Sequence, residues 1–277
     1  MASAPKFSRA PVRQVEREDC DFYHTVDLPG GGTVHGQWDF RGRESAYLGG
    51  VDFGGKSVLE IGPASGCLGF WMERQGASVT AFDLGVDQQW DFVPFRGVDL
   101  DAQHAARRAH LQRLHNSWWY LRGALNSKAE VVYGTVYDIE PALGSFDVVT
   151  LNSILLHLRD PLRAIERAAS VCAETIVIAD VAEEQFWPRP RRLQRWLNRL
   201  FPNPTVDNSR SGPPTAMSFI PRADNPEAID AWFFLPSTLV AEMLEILGFQ
   251  TTITKHRQAF ETGEWSLYTV VGKRRLA

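Results

Sequence analysis

Apolar positions in this chain fall into short buried runs separated by amphipathic stretches, and the alternation becomes regular from about residue 55. Ser57-Val58-Leu59-Glu60-Ile61-Gly62 reads as a buried strand that ends in a glycine turn. Across 66–76, Leu68, Trp71 and Met72 fall at i, i+3 and i+4, and Gly76 stands just past the end, which predicts a helix. Residues 78–82 form a second predicted strand, closed by Asp83. Residues 130–133, 146–151 and 175–179 form a third, fourth and fifth. Asp160-Pro161 opens a further helix, with Asp as N-cap and Pro in the first turn. Ser237 is predicted to cap a late helix whose Val240, Met243, Leu244 and Leu247 make one apolar stripe, stopped by Gly248. Residues 249–255 and 265–271 then read as two strands joined by a short connection, hence antiparallel. Strand, helix and strand at short intervals predict an α/β fold with helices on both faces of a mostly parallel sheet.

Two stretches break the alternation: 84–129 and 182–235 are too long for ordinary connections. Both follow the carboxyl end of a predicted strand, the edge where open α/β sheets bind ligands. The first carries a predicted helix at 101–122 with the trio Trp118-Trp119-Tyr120. The second has Leu193, Trp196, Leu197, Leu200 and Phe201 at helical spacing, with Arg191, Arg192, Arg195 and Arg199 opposite. A proline-rich loop at 202–226 and Trp232-Phe233-Phe234 follow. Both are read as insertions above the sheet that contact substrate. Residues 1–54, with the loop signal Pro29-Gly30-Gly31-Gly32-Thr33, are read as an N-terminal lid, and 55–277 as one domain carrying the two insertions.

Composition narrows the class. Hydrophobic residues are 44% and charged residues 22%, as in soluble globular chains, which excludes disordered and fibrous readings. No apolar run reaches the ~18 residues a membrane span needs. The first ten residues, MASAPKFSRA, lack the apolar segment of a secretory signal. The 3 cysteines, Cys20, Cys67 and Cys172, are too scattered for a disulfide framework or metal-ligand spacing, so a cytoplasmic protein without a metal is expected. A net charge of −4 argues against broad electrostatic binding of nucleic acid.

The informative motif runs from Val58 to Gly66: a strand, a turn of small residues, then a helix. Small residues let a ligand approach the backbone, and the helix start favours a negative group. About twenty residues on, Asp83 ends the next strand, where a carboxylate can accept the hydroxyls of a ribose. A dinucleotide fingerprint would need glycine at 64 and 67, but the chain has Ala64 and Cys67. The Gly-Lys-Ser/Thr of a phosphate loop is also absent. What remains, Glu60-x-Gly62-x-x-x-Gly66, resembles the first motif of the class I S-adenosylmethionine-dependent methyltransferases. The resemblance extends to Tyr137-Asp138-Ile139 after the third strand, to Phe146–Val149 with Asn152-Ser153, and to Leu247-Gly248-Phe249. It covers roughly 55–83, 130–182 and 236–272, and departs at Pro63-Ala64, where Cys-Gly is commoner. An N-terminal stretch, His24-Thr25 with Trp38-Asp39, is similar to a bacterial subgroup distantly related to tRNA wobble-uridine carboxymethyl-transferring enzymes. The lysine-containing cofactor site of those enzymes does not align here.

The resemblance implies a Rossmann-like sheet, mostly parallel with its last strand antiparallel, and S-adenosyl-L-methionine as cofactor. It implies that the cofactor is held by Trp38, Glu60, Gly62, Pro63, Ala64, Ser65, Gly66, Asp83, Leu84, Tyr137, Asp138, Ile139 and Asn152. Methyl transfer needs an aligned acceptor, a dry site and, for a hydroxyl, a base. Trp38, Trp118, Trp119 and Trp232 are candidates for aromatic walls, whose ring faces attract a cationic donor. His157 follows the fourth strand at the ligand edge and is the candidate base, with a role as pocket wall the alternative. His24 and His35 are weaker candidates, and His104, His110 and His115 are read as solvated-face residues of the 101–122 helix. The expected activity is methylation of a small molecule, at oxygen before nitrogen, on a natural product, sugar or glycoside. An RNA base as acceptor, or cofactor binding without catalysis, stays open at this point.

Overall fold

Alternation along the first strand explains the architecture. In Ser57–Ile61, Val58 faces one apolar cluster while Leu59 and Ile61 face another, so helices must cover both sides of the sheet. The computed structural model describes residues 6–182, 216–260 and 263–275. In chain order the elements are β1 (Ser8–Arg9), β2 (Val26–Asp27), β3 (Thr33–Val34), α1 (Glu44–Tyr47), β4 (Ser57–Ile61), α2 (Cys67–Arg74), β5 (Ser78–Asp83) and α3 (Leu100–Ala124). There follow β6 (Glu130–Tyr133), β7 (Phe146–Asn152), α4 (Pro161–Ser170), β8 (Cys172–Val181), β9 (Ser218–Phe219), β10 (Phe233–Phe234), α5 (Ser237–Ile246), β11 (Phe249–Phe260) and β12 (Gly263–Arg274).

Eight strands form one sheet in the order β1-β6-β5-β4-β7-β8-β12-β11. β4 to β8 run parallel, β12 enters antiparallel beside β8, and β11 pairs antiparallel with β12. This is the expected Rossmann-like arrangement. At the other edge Ser8–Arg9 pairs antiparallel with β6, so the N-terminal segment supplies an edge strand that two polar residues gave no reason to expect. Ile61 pairs with Phe82 on one side and with Leu151 on the other, which brings the carboxyl ends of β4, β5 and β7 level. The chain reverses direction of winding between β4 and β7, and the site lies at that switch point.

Several boundaries depart from the sequence reading. β8 starts at Cys172 and runs to Val181, because its far half is paired with Leu267–Lys273 of β12. β11 and β12 extend through polar residues such as His256 and Gln258, since the hairpin ladder satisfies their backbone whatever the side chains. Asp160 caps α4 as predicted, its carboxylate accepting from Arg163 N at 3.1 Å. Ser237 does not cap α5: Pro236 holds that position, no side chain caps the helix, and Ser237 is buried in its first turn.

α3 corrects two readings. Its positions Gln103, Ala106, Arg107, His110, Leu111 and Leu114 form one face over the ligand edge. Trp118 and Trp119 lie beyond that face's end and are core, 2% and 3% exposed, with Trp118 packed on Phe70 and Trp119 Nε1 donating to Tyr133 Oη. Neither borders the two cavities at the ligand edge. His115, read as solvated, is buried and stacked on Tyr133. The predicted arginine-rich helix (Arg191, Arg192, Arg195, Arg199) lies outside the described residues, as does most of the proline-rich loop. Among the described residues no helix is long and apolar enough to cross a membrane.

Candidate functional site

β4 ends in a bend that the sequence makes possible at three positions. Gly62, Ala64 and Gly66 have φ of +75°, +49° and +86°, the left-handed region. A Cβ on Gly62 would come within 2.4 Å of Ile154 Cγ2, so glycine is required there twice over. Gly62 N donates to Phe82 O and Gly66 N to Pro63 O, which closes the bend before α2 begins.

Two cavities open over this edge, one of about 570 Å³ and one of about 200 Å³. Gly62, Asp83, Trp90, Ile154 and His157 border both. The smaller cavity continues along Leu84, Thr135, Val136 and Tyr137. The larger has Glu60, Pro63, Ala64 and Asn152 on its sheet side, and Tyr23, Trp38, Tyr47, Trp90 and Arg107 among its other walls. An apolar slot and a larger chamber of aromatic and polar residues thus meet at Asp83, among the described residues the one acid that borders both.

The electrostatics point the same way. Glu60 is 1% exposed, and burial, reinforced by the Asp83 charge, pushes its carboxyl up to about 8. Glu60 Oε2, Asn152 Oδ1 and Trp90 Nε1 are buried and have no hydrogen-bond partner. Native interiors rarely leave such atoms unpaired, and these three border the larger cavity, where a ligand can pair them; His115 Nε2, Arg167 Nε and Asp180 Oδ2 are also without a hydrogen-bond partner and border neither cavity. Asp83 Oδ1 accepts from Leu84 N at 2.9 Å, and Oδ2 lies 3.5 Å from His115 Nε2.

His157 ends a short 3₁₀ turn, Leu155–His157, after β7. Its Nδ1 is 2.6 Å from the backbone carbonyl of Asp230. A carbonyl only accepts, so Nδ1 carries the hydrogen and Nε2 keeps a free lone pair. Burial holds the imidazole below its ordinary range, so it is neutral near pH 7. Trp90 packs edge-on against it, with ring centres 5.6 Å apart. Trp232 borders neither cavity; its indole donates to Asp91 O and its ring packs under Arg159.

Residues before β4 close the chamber. His24 N donates to Ser65 Oγ, and His24 Nδ1 lies 3.1 Å from the same oxygen. Burial drives the His24 imidazole down to about 3, so it is a neutral strut. Trp38 Nε1 donates to Tyr23 Oη at 3.0 Å, and Tyr47 Oη lies 3.0 Å from Ser153 Oγ. Ser153 itself is left-handed, at φ +54°.

Of the residues the resemblance implied, Trp38, Glu60, Gly62, Pro63, Ala64, Asp83, Leu84, Tyr137 and Asn152 border the cavities, and so does His157. Ser65, Gly66, Asp138 and Ile139 do not. Ser65 is fully buried against His24, and Gly66 packs beneath Phe70 and Trp118. Asp138 is turned to Thr135 and Lys6, and Ile139 is core. Among the other histidines, His110 borders the larger cavity, His104 packs on Phe92, and His35 borders a separate open hollow with Asp21 and Asp39. The sequence reading missed Tyr23, Tyr47, Trp90, Arg107 and Asp230, which converge from four separated stretches.

A family model described as a methyltransferase domain matches residues 39–212. A mitochondrial ubiquinone biosynthesis O-methyltransferase of Schizosaccharomyces pombe is 30% identical over 109 residues, 39% of this chain and 31% of that protein. The chain thus aligns with about a third of that relative's length. Among solved structures, a Listeria monocytogenes protein assigned as an S-adenosylmethionine-dependent methyltransferase superposes with a TM-score of 0.50 at 14% identity, covering 84% of this chain and 98% of that one. The Synechocystis magnesium protoporphyrin IX methyltransferase with bound S-adenosylhomocysteine gives 0.46 at 12% identity, covering 84% and 80%. These structural likenesses concern the fold.

Proposed function

The chain belongs to the methyltransferase-domain family and uses S-adenosylmethionine as methyl donor, and from that premise we propose that it methylates a hydroxyl of a small molecule with His157 as base. The observation that supports this reading is the His157 imidazole at the junction of the two cavities, held through its Nδ1–H, which makes Nε2 the unprotonated nitrogen. S-adenosylmethionine supplies an electrophilic methyl group and a thioether leaving group.

The residues divide the remaining work. Asp83 would accept the ribose hydroxyls, and Tyr137 with Leu84 would flank the adenine in the smaller cavity. Glu60 and Asn152 would take the ammonium group of the amino-acid end with their buried, unpaired oxygens. Tyr23, Trp38, Tyr47 and Trp90 would hold the acceptor between aromatic faces and exclude water. His157 Nε2 would receive the hydroxyl proton as the oxygen–methyl bond forms and the sulfur–methyl bond breaks.

Two features favour a compact, uncharged acceptor at oxygen. Arg107 and Asp230, on the chamber wall, are paired at 3.0 Å and so offset each other. The S. pombe relative is itself an O-methyltransferase by name. The test is methyl transfer from labelled S-adenosylmethionine to a panel of small phenols, sugars, glycosides and amines, with tRNA as a parallel acceptor. Turnover on hydroxylated compounds, reduced ~10²–10⁴-fold in His157→Ala with cofactor affinity retained, is the expected result. Transfer to tRNA alone, or full turnover in the variant, would overturn it.

A further inference from the structure

A stretch with no helix or strand of its own, residues 229–232, is threaded between the two chain segments that meet at His157. Val93 N donates to Ile229 O at 2.8 Å, and Trp232 N donates to Leu156 O at 2.7 Å. Trp232 Nε1 donates to Asp91 O, and His157 Nδ1 donates to Asp230 O. The Asp230 side chain is fixed by one partner, Arg107 Nη2 at 3.0 Å, reaching down from α3. Arg107 is in turn pinned by its own surroundings: its guanidinium lies 4.4 Å from the Trp90 ring centre and 5.6 Å from that of Phe92. Trp90 is also the ring packed edge-on against His157. The imidazole, the carbonyl that fixes its tautomer and the cation that fixes the carbonyl's residue therefore share one aromatic support.

We propose that Arg107 and Asp230 are positioning residues that hold His157 with its hydrogen on Nδ1 and its lone pair on Nε2, Asp230 through its backbone carbonyl and Arg107 by anchoring the Asp230 carboxylate. The device couples the first insertion to the second. His157 is set up as an acceptor of protons only when residues 229–232 lie docked under α3. Its catalytic meaning rests on His157 being the base, whereas the tautomer is a property of the folded protein and is read without turnover. The ionic groups facing His157 are Arg107 from α3 and Asp230 from the threaded stretch, with Asp83 bordering the same two cavities from β5.

The experiment is long-range ¹H–¹⁵N correlation spectroscopy on ¹⁵N-histidine-labelled protein with S-adenosylhomocysteine, His157 being assigned by its loss in His157→Gln. Wild type should show neutral His157 with the proton on Nδ1 at pH 7.5. Arg107→Met keeps an apolar stem on Trp90 but removes the ion pair, and Asp230→Ala removes it from a side chain that is 38% exposed, so the fold should survive. Both should lose the Nδ1–H pattern, with His157 shifting to Nε2–H or exchanging between forms and titrating closer to an ordinary histidine. Arg107→Lys should restore the wild-type pattern in part. An unchanged His24 signal certifies the fold. Wild-type His157 patterns in both Arg107→Met and Asp230→Ala would overturn the proposal. Full turnover in His157→Ala would instead overturn the base assignment, leaving the tautomer result intact.

Discussion

The backbone N–H of His24 donates to Ser65 Oγ at 3.0 Å, and that hydroxyl, its acceptor side engaged, has its own hydrogen free for His24 Nδ1 at 3.1 Å. Both residues are buried, so one serine ties the N-terminal segment to the bend after β4. Ser65→Ala should leave a buried N–H and a ring nitrogen unpaired, which costs ~1–3 kcal/mol. A thermal melt should fall by several degrees, and an unshifted melting curve would show that the contact holds nothing.

Glu60 is expected to make cofactor binding depend on pH. Its carboxyl is raised to about 8 in the folded protein, above the unfolded value of 4.5, by burial without a counter-charge. The folded state therefore holds a proton that the unfolded chain has released. The stability this contributes is full below the unfolded value and is lost as pH rises toward 8. Asp180, raised to about 7 by burial, acts in the same direction. A ligand ammonium at Glu60 favours the ionised form, so binding below pH 8 should release a proton and tighten by up to ~10-fold for each unit that pH rises toward 8. Calorimetry across pH 6–8.5 in buffers of different ionisation enthalpy checks this, and Glu60→Gln should flatten the profile. A pH-independent wild-type affinity would remove Glu60 from the site.

Gly69 offers a test whose sign runs against helix propensity. Glycine to alanine inside a helix ordinarily gains ~0.5–1 kcal/mol. Here the added Cβ would stand 2.3 Å from Glu60 Oε2 and 3.5 Å from Val79 Cγ1, so α2 and β4 would be forced apart. Gly69→Ala should destabilise by ~1–3 kcal/mol and weaken cofactor binding. Denaturant unfolding reads the first and calorimetry the second; a stabilised variant would show that the carboxylate gives way freely.

Asp83 borders both cavities at the end of β5. Asp83→Ala should cost ~1.5–3 kcal/mol of cofactor binding, the worth of a hydrogen bond to a charged acceptor, or ~10–150-fold in dissociation constant. An unchanged constant would place the ribose elsewhere.

The sheet was legible because local pattern and global fold agree. Val58 and Leu59 alternate between two cores, Gly62 must be left-handed, and Asp83 ends the neighbouring strand. Where tertiary context decides, sequence reading stops. Ser65 and Gly66 lie in the motif yet face inward, because the same bend that presents Gly62 to the cavity turns them under α2. Trp118 and Trp119 looked like pocket aromatics, but α3 is long enough to run from the cavity into the core. Arg107, Asp230 and Tyr47 carry no local signature: each matters through partners tens to hundreds of residues away, such as Ser153 for Tyr47. His157 was found by its place after a strand, while the tautomer that suits it to act as a base depends on a carbonyl 73 residues on.

The most direct measurement is a crystal structure with S-adenosylhomocysteine. Adenine should occupy the smaller cavity beside Tyr137 and Leu84, the ribose should meet Asp83, and the amino-acid end should reach Glu60 and Asn152, with its sulfur facing the chamber of Tyr23, Trp38 and His157. A smaller cavity left empty, or an adenosine bound away from Asp83, would contradict it.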